Sequence, residues 1–458
     1  MWLRSVALSS WGSRLSAQFL DCGRSAAVQR GDIPVASHEP ASGRIKRTAR
    51  MIYMKVRDLE SGVPPVSVGR LRDQAAVPLI IATMLRGDGI TGVETHIRQL
   101  RQYLGECGSG STLVTPFSWG RPLAYPVFGV RPLVLERCSP PASLVWYLHW
   151  HEVFLRHALK RRLAKTGECV IDAQDTSAAQ AALRARRGPH QRVVMTVHFS
   201  VSNADLWVDK KQIKRDGTVF RTIRQMEREV IPQVDGLVYV SSWARDALVD
   251  WLPEAAAVPS AVIGNFVAPL HAERSPQALG DLVTIGNLEV AKNHRFLLTV
   301  LAEAKHAGRS LSLDIFGEGP CLGDLLTQAR SLGLEEQVRF HGFRPDVRDL
   351  LPGYRVYVHA SYTESSSLAI MEAMAAGLPI VAGAIGPIPE LCEDGVEARF
   401  WPLDDPARAA VQLMDLLDCE PERLKAASAA RERFRRDYDA YVVGPKLRSF
   451  LMGVTPRR

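Results

Sequence analysis

A chain of 458 residues has room for two domains and a tail, and 46% hydrophobic with 23% charged residues is enough to build buried cores. No apolar run reaches the roughly 20 residues of a membrane-spanning helix; the best, 77–85, reads as a buried strand. Seven scattered cysteines with no C-x-x-C indicate neither a disulfide framework nor a zinc site and fit a reducing compartment, and the net charge of +8 comes without the aromatic-basic module that reads RNA or DNA.

Residues 1–75 show little periodicity and read as a disordered or mis-called N-terminal extension, with Met51 and Met54 as alternative starts; the Arg- and Ser-rich, acid-poor opening also has the composition of a transit peptide. Regular structure begins at 77–82, an unbroken apolar run of the kind buried in parallel sheets. A loop over 86–94, containing Gly92, precedes a helix to Tyr103. Such a turn between first strand and first helix is where α/β folds hold phosphates. Strand candidates at 112–115, 169–172, 193–197, 237–240 and 261–263 alternate with helical stretches, which argues for a parallel sheet in a first domain over 76–266. Two of them end in polar groups, Asp172-Ala173-Gln174-Asp175 and Thr196-Val197-His198, where ligands of open α/β sheets bind. Two basic stretches, 156–165 behind Trp146, Tyr147 and Trp150, and 210–228, read as solvated helix faces; the first also suits an anionic membrane surface.

A Pro-, Ala- and charge-rich linker over 267–280 leads to a second domain over 281–435, with strands at 282–286, 311–316, 338–340 and 356–359. Then comes the stretch with the most chemistry, 361–393. Glu364 and Glu372 flank three serines and an Ala/Met/Leu helix that Gly377-Leu378-Pro379 ends before a strand at 380–382. At ~1.5 Å per helical residue the two carboxylates are roughly 12 Å apart. The helix N-terminus between them presents free N–H groups and a positive dipole end to a phosphate. A carboxylate beyond each end of a diphosphate suits ribose hydroxyls on one side and sugar hydroxyls on the other, although the same pair also fits a solvated helix face. Helices between 406 and 450 follow, and 436–458 is expected to cross back to the first domain.

Around these carboxylates the chain resembles the large retaining glycosyltransferase family numbered four, of GT-B fold, through its E-x7-E signature. Glu364, Glu372, Ala373, Met374, Ala375, Gly377, Pro379, Val381, Ala382, Gly386, Pro389, Glu390, Asp394 and Gly395 match it, whereas Ser365-Ser366-Ser367 replaces Gly-Phe-Gly. Further steps arrive in the family's order: the turn before Glu94 with Thr91 in place of a Gly, the two strand ends above, Ile263-Gly264-Asn265-Phe266, Gly286-Asn287-Leu288 with Lys292-Asn293, Gly317-Glu318-Gly319-Pro320, and His341-Gly342-Phe343-Arg344. Asn287 stands where relatives carry an Arg. The resemblance covers about 77–440.

That resemblance implies an α/β chain of two Rossmann-like domains with parallel sheets facing across a cleft, the second holding most of the donor. It implies transfer of a hexose-type sugar from a nucleotide diphosphate, with retention, to a sugar, lipid-linked or small-molecule acceptor in polysaccharide, glycolipid or other glycoconjugate synthesis. By resemblance the catalytic residues are Glu364 at the sugar ring, His198 at a sugar hydroxyl and Lys292 at the diphosphate. Glu372 takes the ribose, and Asn287, Gly92, Arg344, Ser366, Ser367 and Leu368 complete the donor site. No cofactor beyond the nucleotide-sugar donor, no metal and no nucleic acid are expected, and the enzyme is placed in the cytoplasm, in peripheral contact with the anionic inner membrane surface. The alternative is a nucleotide-sugar epimerase, or a non-catalytic nucleotide-sugar-binding protein of the same fold.

Overall fold

The computed structural model describes residues 77–457, apart from 88, 90, 120, 132–134 and 271–277; the N-terminal extension and the middle of the expected linker lie outside them. Six parallel strands form the first sheet: β1 (Leu79–Ala82), β2 (Ser111–Val114), β3 (Cys169–Ala173), β4 (Gln191–Val197), β5 (Gly236–Tyr239) and β6 (Ser260–Val262), in the order β2-β1-β3-β4-β5-β6. Six more form the second: β7 (Gly280–Ile285), β8 (Leu313–Phe316), β9 (Val338–Gly342), β10 (Tyr354–His359), β11 (Ile380–Ala382) and β12 (Ala398–Phe400), in the order β12-β11-β10-β7-β8-β9. β12 escapes the sequence reading because three residues at a sheet edge, Ala-Arg-Phe, carry no pattern.

Both faces of each sheet are covered, which is why β1 and β11, Leu-Ile-Ile-Ala and Ile-Val-Ala, are apolar and buried throughout. In β1, Ile80 and Ala82 enter a core with Leu155 and Leu159, while Leu79 and Ile81 enter another with Ile97, Leu100 and Leu447. The second sheet repeats the plan. Leu282 and Val356 pack with Leu297 and Leu413 on one side, and Val283 and Tyr357 with Ile370 and Met374 on the other.

The helices that shape the site are α1 (Gly92–Glu106), α2 (Pro140–Leu163), α3 (Asn203–Asp209), α4 (Thr218–Val230), α5 (Ser242–Trp251), α6 (His294–His306), α7 (Leu368–Ala375) and α8 (Ala440–Gly453). α1 starts earlier than expected. Thr91 is its N-cap, the Thr91 hydroxyl accepting from the Glu94 N–H while the Glu94 carboxylate reaches back, so Glu94 lies inside the helix. α8 follows a bridge between Val267 and Asp439 and packs on α1, with Gly444 against the Tyr103 ring and the Tyr441 hydroxyl donating to Glu106 at 2.7 Å. Among the described residues no helix is long and apolar enough to cross a membrane.

In each sheet the chain builds outward from one strand and then returns to its other side: β1 to β2 and then β3, β7 to β8 and β9 and then β10. The crevices beyond the carboxyl ends of β1/β3 and β7/β10 are therefore where such folds bind ligands.

Candidate functional site

Beyond β7 the chain turns through Gly286-Asn287-Leu288 and a short 3₁₀ turn, Val290–Lys292, into α6. Asn293 makes that entry at φ 51°, a left-handed conformation that asparagine tolerates better than most residues. Beyond β10 stand Ser361 and Glu364. The two ends meet: Lys292 Nζ lies 2.5 Å from Glu364 Oε1, which also accepts from Ser361 Oγ at 2.9 Å and faces His359 Nε2 at 3.0 Å. Burial works to raise the Glu364 carboxyl, but the Lys292 ammonium and the His359 bond outweigh it and hold the group well below the usual carboxylate range. All these bonds fall on Oε1, which leaves Oε2 for a ligand hydroxyl.

The glycine turn after β8 has a structural reason. A Cβ on Gly317 would lie 1.9 Å from Gly286 O, and one on Gly319 2.5 Å from Leu288 O. The two loops thus cross in backbone contact, with the Leu288 N–H donating to Glu318 O at 2.9 Å. Asn287 sits in that crossing, half-buried.

Ser367 caps α7, its hydroxyl accepting from the Ile370 N–H at 3.4 Å, and the Ser366 hydroxyl is buried without a hydrogen-bond partner among the described residues. Leu368 opens the helix, buried. Glu372 is its fifth residue, about one turn in rather than two, and 365–367 are not helical, so helical rise does not set its separation from Glu364. Burial raises the Glu372 carboxyl, opposed by Arg348 and Arg98; Arg348 Nε lies 3.7 Å away. Sequence reasoning missed Arg348.

On the first-domain side, Glu94 organises the loop after β1. Its Oε1 accepts from the N–H groups of Gly87 and Gly89 at 3.1 and 3.0 Å, and its Oε2 from the Thr91 hydroxyl at 2.9 Å. Gly92 is exposed at the helix start with open space where a Cβ would stand, so packing does not require glycine there. His198 follows β4. Its Nε2 lies 2.9 Å from Gln174 Oε1, Gln174 Nε2 donates to Asp172 Oδ2 at 2.7 Å, and Thr196 Oγ1 donates to Asp172 Oδ1 at 2.8 Å. This chain assigns the proton of His198 to Nε2 and leaves Nδ1 an acceptor. Burial, then the neighbouring His96, push the His198 imidazole well down, so it is neutral at pH 7. His96, 4.9 Å away ring to ring, is itself pushed down to about 4 by burial, with Asn265 working the other way. Both His96 ring nitrogens and Asn265 Oδ1 are buried with no hydrogen-bond partner among the described residues.

The two domains touch at this site. Ser200 Oγ donates to Glu364 O at 3.2 Å, and Ser241 Oγ to Ser365 O at 3.1 Å. The Glu390 carboxylate accepts from the N–H groups of Ser242 and Trp243 at the start of α5, at 2.8 and 2.6 Å.

The structure thus gathers Glu364 and Lys292 on one side and His198 on the other, with Ser366 and Ser367 at the start of α7. It does not bring in Arg344, which is exposed and pairs in a fork with Asp346 at 2.8 and 2.6 Å; the carboxylate two residues on was the signal. His359, Ser361 and Gln174 belong to the site because they end or follow strands at the two switch points, a rule that sequence alone allowed. Among the described residues no group of three or more His, Cys, Asp or Glu is placed to hold a metal ion. Asp437-Tyr438-Asp439, an Asp-x-Asp pattern of the kind that can hold a metal ion, is engaged in structural contacts: Asp437 pairs with Arg433 and Arg436, and Asp439 caps α8. What remains is a cation, a buried carboxylate with a free oxygen, a neutral imidazole acceptor and a helix N-terminus around one crevice. That combination suits an anionic ligand bearing hydroxyls.

Two family models match the chain. The model described as glycosyltransferase family 4 matches residues 90–269, and that of glycosyl transferases group 1 matches residues 280–419. The chain is 24% identical over 306 residues to a glycogen synthase of Mycobacterium tuberculosis, covering 65% of this chain and 72% of that one. It is 30% identical over 237 residues to a D-inositol 3-phosphate glycosyltransferase of Corynebacterium kroppenstedtii, 46% of this chain and about half, 52%, of the relative. Among solved structures, Anabaena Alr3699/HepE in complex with UDP-glucose superposes with a TM-score of 0.62 at 18% identity, over 82% of this chain and 99% of that one.

Proposed function

Since the chain belongs to glycosyltransferase family 4, we propose that it transfers a hexose-type sugar from a nucleotide diphosphate to a hydroxyl acceptor with retained configuration. The observation that carries this reading is the Lys292–Glu364 pair at the β7/β10 switch point, beside the N-terminus of α7. The crevice accommodates the donor with its diphosphate against Lys292 and the α7 N–H groups, and its sugar hydroxyls between Glu364 Oε2 and His198 Nδ1. Glu372, paired with Arg348, takes the ribose. The UDP-glucose held by the Anabaena protein makes a glucose-type donor the first to test.

In the reaction the bond from the anomeric carbon to the diphosphate oxygen breaks, the acceptor oxygen bonds to that carbon, and the acceptor proton passes to the departing diphosphate. The protein supplies position and charge stabilisation. Lys292 and the helix dipole neutralise the leaving group, so turnover is expected to persist in EDTA. Loss of turnover that magnesium or manganese restores would contradict this.

The decisive experiment is a panel of nucleotide sugars scored first by slow donor hydrolysis and then by the anomeric proton signals of the product. An α-donor giving an α-glycoside supports the proposal; a β-glycoside overturns retention. A free epimer formed without acceptor would replace transfer by epimerisation.

A further inference from the structure

We propose that the groove over α4 and Trp251 is a second ligand site, which binds an anionic glycan chain bearing carboxylates or phosphates. The groove, about 890 Å³, is lined by residues from 215 to 229 and by Trp251. Four guanidiniums, of Arg215, Arg221, Arg224 and Arg228, face two carboxylates there, Asp216 and Glu229. Asp205 behind them is shared by Arg215 at 2.7 Å and Arg224 at 2.6 Å, so one negative charge serves two positive ones. Arg221 and Arg228 are exposed and have no carboxylate within ion-pair distance among the described residues. Arg224 lies 3.8 Å over the Trp251 ring, which holds a planar fork in place before any ligand arrives. A preset guanidinium suits the paired oxygens of a carboxylate or phosphate better than a mobile ammonium does.

A flat bilayer fits less well. Surface-bound proteins add apolar anchors to their charge. Between 207 and 251 no large apolar side chain is exposed among the described residues, and Trp207 and Trp251 are half-buried.

The groove is wired to the crevice. Trp251 Nε1 donates to Val201 O at 2.8 Å, and the Asn203 N–H donates to Glu227 Oε1 of α4 at 2.7 Å. The segment they hold follows His198 and Ser200 directly. A chain anchored in the groove is therefore positioned on the first-domain side of the crevice. That acceptor role rests on the transferase reading; binding does not.

The test uses the full chain and five probes, an oligogalacturonate, a polyglycerol phosphate oligomer, neutral dextran, phosphatidylglycerol vesicles and an oligonucleotide, titrated calorimetrically at low salt against wild type and the double variant Arg221→Glu/Arg228→Glu. Both positions are exposed and without a carboxylate partner among the described residues, and Arg228 lies only at 5.9 Å over the Trp251 ring, so the fold is expected to hold. Binding of either anionic oligomer, weakened by about tenfold or more in the variant and absent with dextran, supports the site, since two charged hydrogen-bond donors are lost. Which oligomer binds identifies the anion. Equal binding by the variant, no binding by either oligomer, or tighter binding of phosphatidylglycerol vesicles or an oligonucleotide overturns it. Donor hydrolysis by the variant should equal that of wild type. Absent hydrolysis in wild type would sink the transferase reading and leave the groove untouched.

Discussion

Glu364 is a carboxylate with almost no water and one ammonium, and such a group responds to acid in a defined way. Its folded-state pKa lies below its unfolded value, so its contribution to stability is complete above the unfolded pKa, about 4.3, and is lost as the pH falls below that. Thermal melts of wild type and Glu364→Gln should therefore diverge above that pH and converge under acid; parallel curves would mean that folding does not lower the carboxyl's pKa. Lys292 is the partner whose removal strands that charge. Breaking a buried pair from one side costs about 3–5 kcal/mol, and the lower end applies here because the Lys292 side chain is 29% exposed. Lys292→Ala should be at least as damaging to turnover as Glu364→Ala, with Lys292→Arg restoring it only in part, because a planar fork does not replace a compact ammonium. Wild-type turnover and donor affinity in Lys292→Ala would place the diphosphate elsewhere. Asn287, where relatives carry an Arg, adds no charge to share that work.

At the scale of elements, what was legible and what was not divide by the range of the interactions involved. The strand at Ile380–Ala382 was readable to the residue because an apolar run sits between a Gly-x-Pro stop and a segment broken by Gly383, Gly386 and Pro387. β1, β3 and β4 were readable because burial on both faces leaves no alternation to misread. The start of α1 was misplaced although Thr91-x-x-Glu94 is a capping box, since the glycines around it were taken for a phosphate loop. The sequence placed the C-terminal helix against the first domain as an expectation, but the contact of Gly444 with Tyr103 was beyond reach, for the two are far apart in sequence. A Cβ at Gly444 would lie 2.6 Å from the Tyr103 ring. Gly444→Ala should accordingly destabilise by about 1–3 kcal/mol, the usual cost of overpacking, read as a lower melting temperature. α4 offers a pH test of the opposite sign. Burial pushes the Glu227 carboxyl up to about 8, against the Asn203 N–H and the Arg224 charge. A raised folded pKa means stability present below the unfolded value and lost as pH rises toward 8. Melting of wild type relative to Glu227→Gln should fall over that interval, and a constant difference would show that Glu227 is ionised throughout.

The whole molecule works only if its two sheets present their crevices to each other, and the contacts that arrange this join residues more than 120 positions apart. Glu390 is the clearest of them. Its carboxylate, from the second domain, sits on the first two N–H groups of α5 in the first, where the dipole end is positive. Ser200 and Ser241 add neutral bonds to the backbone at 364 and 365. Glu390 is exposed, so the helix-dipole part is at the low end, about 0.3–1 kcal/mol. That is too little to unfold a domain yet enough to change the fraction of closed molecules. The residues expected to bind the nucleotide, Lys292 at the diphosphate and Glu372 at the ribose, lie in the second domain, whereas His198 lies in the first. Loss of the strap should thus spare nucleotide affinity and reduce kcat, because only closure brings His198 to the sugar. Glu390→Ala is expected to lower kcat severalfold at unchanged nucleotide Kd and melting temperature, with a larger radius of gyration by small-angle X-ray scattering. Glu390→Gln, which keeps an oxygen for one N–H but no charge, should fall between the two. Should Glu390→Ala turn over like wild type at the same radius of gyration, closure would rest on the serine contacts alone.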